Sequence, residues 1–247
     1  MNISQSLMNA VLSKNCAYAI DLQYNQKVER ETSETMKRGN YFEWLVLGKS
    51  LSEAPQLEKL KSGAKSQAEK DIDDLAEVAK TTLKHLGLDM EDATSQLRIE
   101  VQGMSGVIDF VTNDIQDKKR QALYDLKYTE TKYDDRWNGW ADFERQVDYK
   151  RQAKHYIFLW YLVNKEYLPF YFVVFGKSGW CRVIKCVLTQ ESLDVHVEEV
   201  SMVKNLLEQW SKAGYPANPD YEKCADCRVA EHCQYKKIIP DVETVEI

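Results

Sequence analysis

Gly106-Val107-Ile108-Asp109-Phe110-Val111 and, beyond a polar run over 113–120, Tyr124-Asp125-Leu126-Lys127-Tyr128 place acids and a lysine inside segments built from β-formers. Side chains alternate across a strand, so Asp125 and Lys127 share one face while Tyr124, Leu126 and Tyr128 share the other. If the two segments pair as a hairpin, Asp109 comes near Asp125. Two carboxylates held close repel and call for a cation, and their oxygens suit a hard divalent ion such as Mg²⁺ or Mn²⁺. A lysine beside them can orient or deprotonate a water and offset charge on a phosphoryl oxygen. The Asp-x-Lys triplet by itself equally fits the polar, solvated face of an edge strand.

Outward from this motif, strand-like content covers 97–102, 106–112 and 122–129, which predicts three successive antiparallel strands. A helix is expected over 140–163, strands over 168–175 and 180–188 around the turn Gly176-Lys177-Ser178-Gly179, and an amphipathic helix over 191–213. Upstream, Leu7, Val11 and Leu12 recur at helical spacing, as do Met36, Phe42, Val46 and Leu47. Residues 52–92 are polar and helix-favouring, with an apolar stripe of Ile72, Leu75, Val78, Ala79, Leu83 and Leu86 and a stop at Gly87, and read as an inserted helical subdomain. The order of helices and strands belongs to the mixed α/β class.

With 247 residues and 28.7 kDa the chain can bury a substantial core. The apolar runs 156–163 and 167–175 are interrupted by Asn164, Lys165 and Glu166, so no membrane span is expected. The start, MNISQSLMNAVLSKN, lacks the regions of a signal peptide, which predicts a cytoplasmic, thiol-reducing location. A net charge of −6 and a pI near 5.4 argue against broad coating of nucleic acid. Residues 118–154 nevertheless hold ten basic and seven acidic side chains, net +3, among the aromatics Tyr124, Tyr128, Tyr133, Trp137, Trp140, Phe143 and Tyr149. Tyr133, Trp137 and Trp140 fall in a polar loop with Gly139 and are candidate stacking surfaces for bases.

Six cysteines in a reducing compartment are read for metal or redox chemistry before disulfides. Cys181 and Cys186 lie in an apolar segment and are expected in the core. Cys224, Cys227 and Cys233 form C-x2-C-x5-C in a short polar tail, a density that fits one metal centre. Zinc or a cubane iron-sulfur cluster normally takes four protein ligands. His232 adjoins Cys233 and is a poor fourth, which leaves Cys16 as the unassigned thiol. The spacing fits zinc and iron-sulfur alike.

Gly106-x-x-Asp109, Asp125-Leu126-Lys127 and Gln152-x-x-x-Tyr156, in that order, resemble the signature of RecB-type nucleases of the PD-(D/E)XK superfamily. The tail motif with a distant N-terminal cysteine is similar to the iron-sulfur members, including the helicase-nuclease subunit AddB and the CRISPR-associated exonucleases. The resemblance implies a restriction-endonuclease-like core, a mixed central sheet flanked by helices, with a helical insertion and a Cys-rich metal-binding tail. It implies Glu43, Asp109, Asp125 and the carbonyl of Leu126 as ligands of Mg²⁺ or Mn²⁺, Lys127 aligning the attacking water, and Gln152 with Tyr156 facing the phosphate from one helix face. Cys16, Cys224, Cys227 and Cys233 would hold a structural 4Fe-4S cluster, with Zn²⁺ as the alternative. Two departures stand out: Ala17 follows Cys16 where proline is common, and Glu43 stands where many relatives have histidine.

The expected organisation is N-terminal helices over 1–50, a helical insertion over 51–95, the nuclease core over 96–190, and a last helix with the cluster tail over 191–247. The implied activity is hydrolysis of DNA phosphodiester bonds, acting on single strands or free ends, with a recombination, helicase or CRISPR-adaptation protein as partner. The alternative is a non-cleaving nucleic-acid-binding subunit of such an assembly.

Overall fold

The motif strands are the middle of a five-stranded sheet. The computed structural model describes residues 1–13, 16–28, 32–48, 55–57, 63–88, 90–135 and 139–237. Within it, β1 (Thr94–Val101), β2 (Met104–Asn113) and β3 (Gln121–Thr129) form the three antiparallel strands expected, and β4 (Phe170–Gly176) and β5 (Cys181–Cys186) complete the order β1-β2-β3-β4-β5. β3 and β4 run parallel and β4 and β5 antiparallel, so the sheet is mixed. The β1–β2 turn places Gln102 and Gly103 at φ 51° and 74°, the pair of left-handed residues that a two-residue hairpin of primed type requires.

Helices cover both faces, giving the α/β fold with a mixed sheet flanked by helices. On one face, Phe110, Tyr124 and Tyr171 stack across three strands at centroid distances of 4.8 and 5.2 Å and meet α3 (Glu34–Leu47) and α4 (Gln67–His85). Ser66 caps α4 by accepting the Glu69 amide at 3.2 Å, in a Ser-x-x-Glu sequence that suits a capping box. Gly87, at φ 74°, ends it with the paired bonds Leu88 N–H to Leu83 O and Gly87 N–H to Lys84 O. The α4 stripe of Ile72, Leu75, Ala76, Ala79 and Leu83 lies in the same buried cluster as Phe42, Tyr124 and Val173. This helix, expected within an inserted subdomain, is instead a layer of the main core, because its apolar stripe closes one face of the sheet.

The opposite face carries α5 (Val147–Asn164), which crosses over between β3 and β4 and packs on β1, β2 and β4. The helix expected from residue 140 begins at Val147, after a 3-10 turn at Phe143–Arg145. Stacking of Trp140 on Tyr149 at 4.4 Å folds the preceding segment back along the helix instead of extending it. Cys181 and Cys186 are partly buried on β5, and burial raises their thiols to about 11 and about 12.

Residues 33–193 form this unit; residues 1–32 and 194–247 form a second. The second contains α1 (Gln5–Leu12), the short α2 (Ala17–Ile20) continuing into a π-turn at Asp21–Asn25, most of α6 (Gln190–Lys212), α7 (Tyr221–Ala225) and a 3-10 turn at Ala230–His232. Among the described residues no helix is long and apolar enough to cross a membrane.

Candidate active site

The backbone ladder between β2 and β3 runs from Asn113↔Gln121 to Phe110↔Tyr124 and stops there. Continuing the register would set Asp109 opposite Asp125. In place of a backbone partner, the Leu126 amide donates to Asp109 Oδ2 at 2.7 Å, so the acid side chain wedges the strands apart at this point. Asp109 and Asp125 are both buried. Lys127 forms an ion pair with Asp125 Oδ1, while among the described residues no donor in hydrogen-bond geometry meets that oxygen.

α5 lays Tyr149, Gln152 and Tyr156 along one face at spacings of three and four residues. Gln152 donates from Nε2 to Asp125 Oδ2 at 2.7 Å and works at Tyr156 against the rise in pKa that burial causes. The ring of Tyr149 lies 5.9 Å from Lys127 Nζ. Fully buried His155 donates from Nε2 to the Ser105 carbonyl at 3.1 Å and fixes α5 to β2. Close approach also needs Gly106: a Cβ there would lie 2.7 Å from the Tyr156 ring and 2.8 Å from Leu159. Gly106→Ala is therefore expected to push Tyr156 out of place, lowering stability by ~1–3 kcal/mol, read as a fall in Tm of several degrees. An unchanged Tm would show that α5 can shift without cost.

Glu43 reaches the same place from α3. Its Oε1 accepts from Gln96 Nε2 at 2.6 Å, the charge of Asp125 acts on it, and its own charge acts on Asp109. Gly39, one turn earlier on that helix, has open space beside it. The structure thus brings together Glu43, Asp109, Asp125, Lys127, Gln152 and Tyr156. Gln96, which sequence reasoning missed, joins them; nothing in its residue type or spacing marked it.

Three carboxylates face the ammonium of Lys127. Burial, then the charges of Asp125 and Glu43, push the Asp109 carboxyl well above its ordinary range. Burial also raises Glu43 and Asp125, against the lowering effect of Gln96 on the first and of Lys127 and Gln152 on the second. Burial opposes the Lys127 ammonium, but Asp125 and Asp109 outweigh it and raise its pKa. A lysine so held stays charged and suits alignment and charge offset better than proton abstraction. Tyr156 is raised by burial and then by Asp125 and Asp109, so its hydroxyl keeps its proton.

Acids raised on folding take up protons before the unfolded chain does as pH falls. Stability from these groups is therefore lost as pH rises from the unfolded carboxylate range, near 4, through their raised values. Asp109→Asn, which keeps an oxygen for the Leu126 amide, is expected in EDTA to melt above the wild type, with a gap that widens as pH rises above the unfolded carboxylate range near ~4. If these acids hold a divalent cation, Mn²⁺ should stabilise the wild type increasingly with pH, because protons and the cation compete. A gap independent of pH in EDTA would contradict the assignment.

The loop aromatics separate. Trp140 is buried against Tyr149, Phe143 and Phe172, and is a packing residue, not a stacking surface. Tyr133 is 63% exposed, with Lys132 Nζ 5.5 Å from its ring; Trp137 lies outside the described residues. Within 118–154, Arg145 pairs with Asp142, Lys150 with Glu144 and Arg151 with Asp148, acids already counted in the sum, so its net of +3 stands. Lys118 donates to the carbonyls of Leu86 and Gly87.

In the second unit the four cysteines expected to act together are neighbours. Burial raises the Cys227 thiol, the Val229 amide lowers it, and Cys233, Cys224 and Cys16 raise it further. The Asn218 amide donates to Cys16 Sγ at 3.2 Å and the Lys237 amide to Cys224 Sγ at 3.3 Å. Among the described residues no three His, Cys, Asp or Glu side chains converge tightly enough to ligate one ion. Both groups are gathered sets, not closed coordination spheres. Their chemistry still fits: three hard carboxylates against a single ammonium in one, four soft sulfurs in the other.

No protein-family model matches the chain, and no curated protein matches it. Among solved structures it is similar to one named "Putative exonuclease" from Eubacterium rectale, at 17% identity and a TM-score of 0.66, over 98% of this chain and 91% of that chain. At that identity the likeness establishes a shared fold, which is the α/β fold described above.

Proposed function

We propose that this chain is a metal-dependent deoxyribonuclease of the RecB-type PD-(D/E)XK kind, an exonuclease acting on single-stranded DNA or DNA ends. The observation that carries the reading is the gathering of Glu43, Asp109, Asp125 and Lys127 where the β2–β3 ladder stops, under Gln152 and Tyr156. Glu43, Asp109, Asp125 and the Leu126 carbonyl would hold Mg²⁺ or Mn²⁺, which when bound would supply Lewis acidity and a lowered pKa for bound water. Lys127, kept charged by Asp125 and Asp109, aligns the attacking water and offsets negative charge on the phosphoryl oxygens. Gln152 fixes the rotamer of Asp125, and Tyr156 offers a protonated hydroxyl to the phosphate. The Leu126 amide holds Asp109 in place. Exposed Tyr133 with Lys132 beside it offers a base-stacking surface.

The same reading takes Cys16, Cys224, Cys227 and Cys233 as ligands of a structural 4Fe-4S cluster, with Zn²⁺ as the alternative, since hydrolysis needs no electron transfer. The setting would be cytoplasmic, in DNA recombination, repair, phage DNA metabolism or CRISPR adaptation, with a protein partner from such a system. The test is incubation with end-labelled single-stranded DNA, blunt duplex and covalently closed circles in Mn²⁺, Mg²⁺ or EDTA. Metal-dependent loss of the linear substrates and survival of closed circles is expected. Metal-dependent binding without cleavage would point to the non-cleaving subunit, and neither binding nor cleavage would overturn the reading.

A further inference from the structure

β1 is paired with β2 along its length, except at one residue. Ser95 pairs with Phe110 and Leu97 with Ile108, so Gln96 lies opposite Asp109, and the backbone ladder skips both. Gln96 has φ 51°, a left-handed conformation that costs an L-residue free energy and is rare inside a strand. Continued extended geometry would preserve the alternation of side chains along β1. At this kink the Gln96 amide instead donates to Glu43 Oε1 at 2.6 Å. The contact joins α3 to the sheet beside the point where β2 and β3 separate.

We propose that Gln96 is a positioning residue: the left-handed kink of β1 aims its amide at Glu43 and holds that carboxylate over Asp109 and Asp125 for the divalent cation. This rests on the metal-dependent reading of the site. Gln96 acts through Glu43, by limiting the positions open to that side chain, near which Gly39 leaves open space on α3. A ligand on a long side chain otherwise gives up rotamer freedom when it binds the ion, and a fixed partner lowers that cost.

Gln96→Gly and Gln96→Asn separate the amide from the kink. Glycine adopts the left-handed backbone freely, and asparagine tolerates it while its amide falls one carbon short of Glu43. Both variants of the full chain are expected to bind Mn²⁺ about 10- to 100-fold more weakly by titration calorimetry. Their Tm in EDTA should equal or exceed that of the wild type, as relief of the strained backbone predicts. Wild-type Mn²⁺ affinity in both variants, in a protein whose parent binds Mn²⁺ and cleaves DNA, overturns the inference alone. A lowered Tm in EDTA with unchanged affinity assigns Gln96 a structural role and also overturns it. A parent that neither binds Mn²⁺ nor cleaves overturns the nuclease reading and this inference with it.

Discussion

Asp125→Asn and Lys127→Met are each expected to reduce Mn²⁺-dependent cleavage of end-labelled single-stranded DNA by ~10²–10³-fold or more, yet with opposite effects on the metal. Asp125 is 2% exposed and has two partners, Lys127 on Oδ1 and Gln152 on Oδ2. Asparagine keeps its volume and an oxygen for Gln152 but removes a ligand charge, so Mn²⁺ affinity falls with activity. Alanine at 125 would confound the test, because it also removes the oxygen that meets Gln152 and leaves a cavity in a buried position. Methionine at 127 preserves the packed stem and removes the cation. The three carboxylates are then unopposed, Mn²⁺ binds as tightly as before or tighter, and cleavage is still lost because nothing aligns the water or offsets the phosphoryl charge. Calorimetry and the cleavage assay on the same preparations check this; unchanged cleavage in both variants would sink the assignment. Loss of metal affinity in Lys127→Met would mean that the lysine organises the site rather than acting on the reaction.

The motif on β2 and β3 was legible because alternation along a strand is strict: placing Asp125 and Lys127 on one face leaves Tyr124 and Leu126 for the core, where they lie. The pairing of Gln152 with Tyr156 followed from helical spacing in the same way. Gln96 was not legible, since a left-handed residue inside a strand leaves no mark when it is not glycine. Helix α4 showed which of its faces would be buried but not that the sheet would bury it, so it read as an insertion. The start of α5 depended on the contact of Trp140 with Tyr149, set by tertiary packing. The sum over 118–154 keeps its value of +3 after pairing, because Asp142, Glu144 and Asp148 were already in it. What the sum did not show is that Arg145, Lys150 and Arg151 each sit against one of those acids, pairs worth ~0–1 kcal/mol at exposed positions.

Purified without chelator or oxidant, the protein is expected to be brown, to absorb near ~400 nm, and to contain iron and acid-labile sulfide. Cys227→Ala should bleach it and remove most of the stability of the unit formed by residues 1–32 and 194–247. That unit joins chain segments far apart in sequence, and its cysteines span the junction: Asn218 donates to Cys16 across 202 positions. A metal centre held by Cys16, Cys224, Cys227 and Cys233, as proposed, would close that loop, and binding free energies of ~10–16 kcal/mol for structural zinc set the scale of what its loss would remove. The core of residues 33–193 contains none of these four ligands, so its sheet should survive. Limited proteolysis of the variant is expected to cut on both sides of an intact fragment near residues 33–193, whereas the parent resists. A colourless parent with stoichiometric zinc and the same proteolysis pattern selects the zinc alternative. A parent with neither metal, as resistant as its Cys227→Ala variant, would show that the four thiols are neighbours without being ligands.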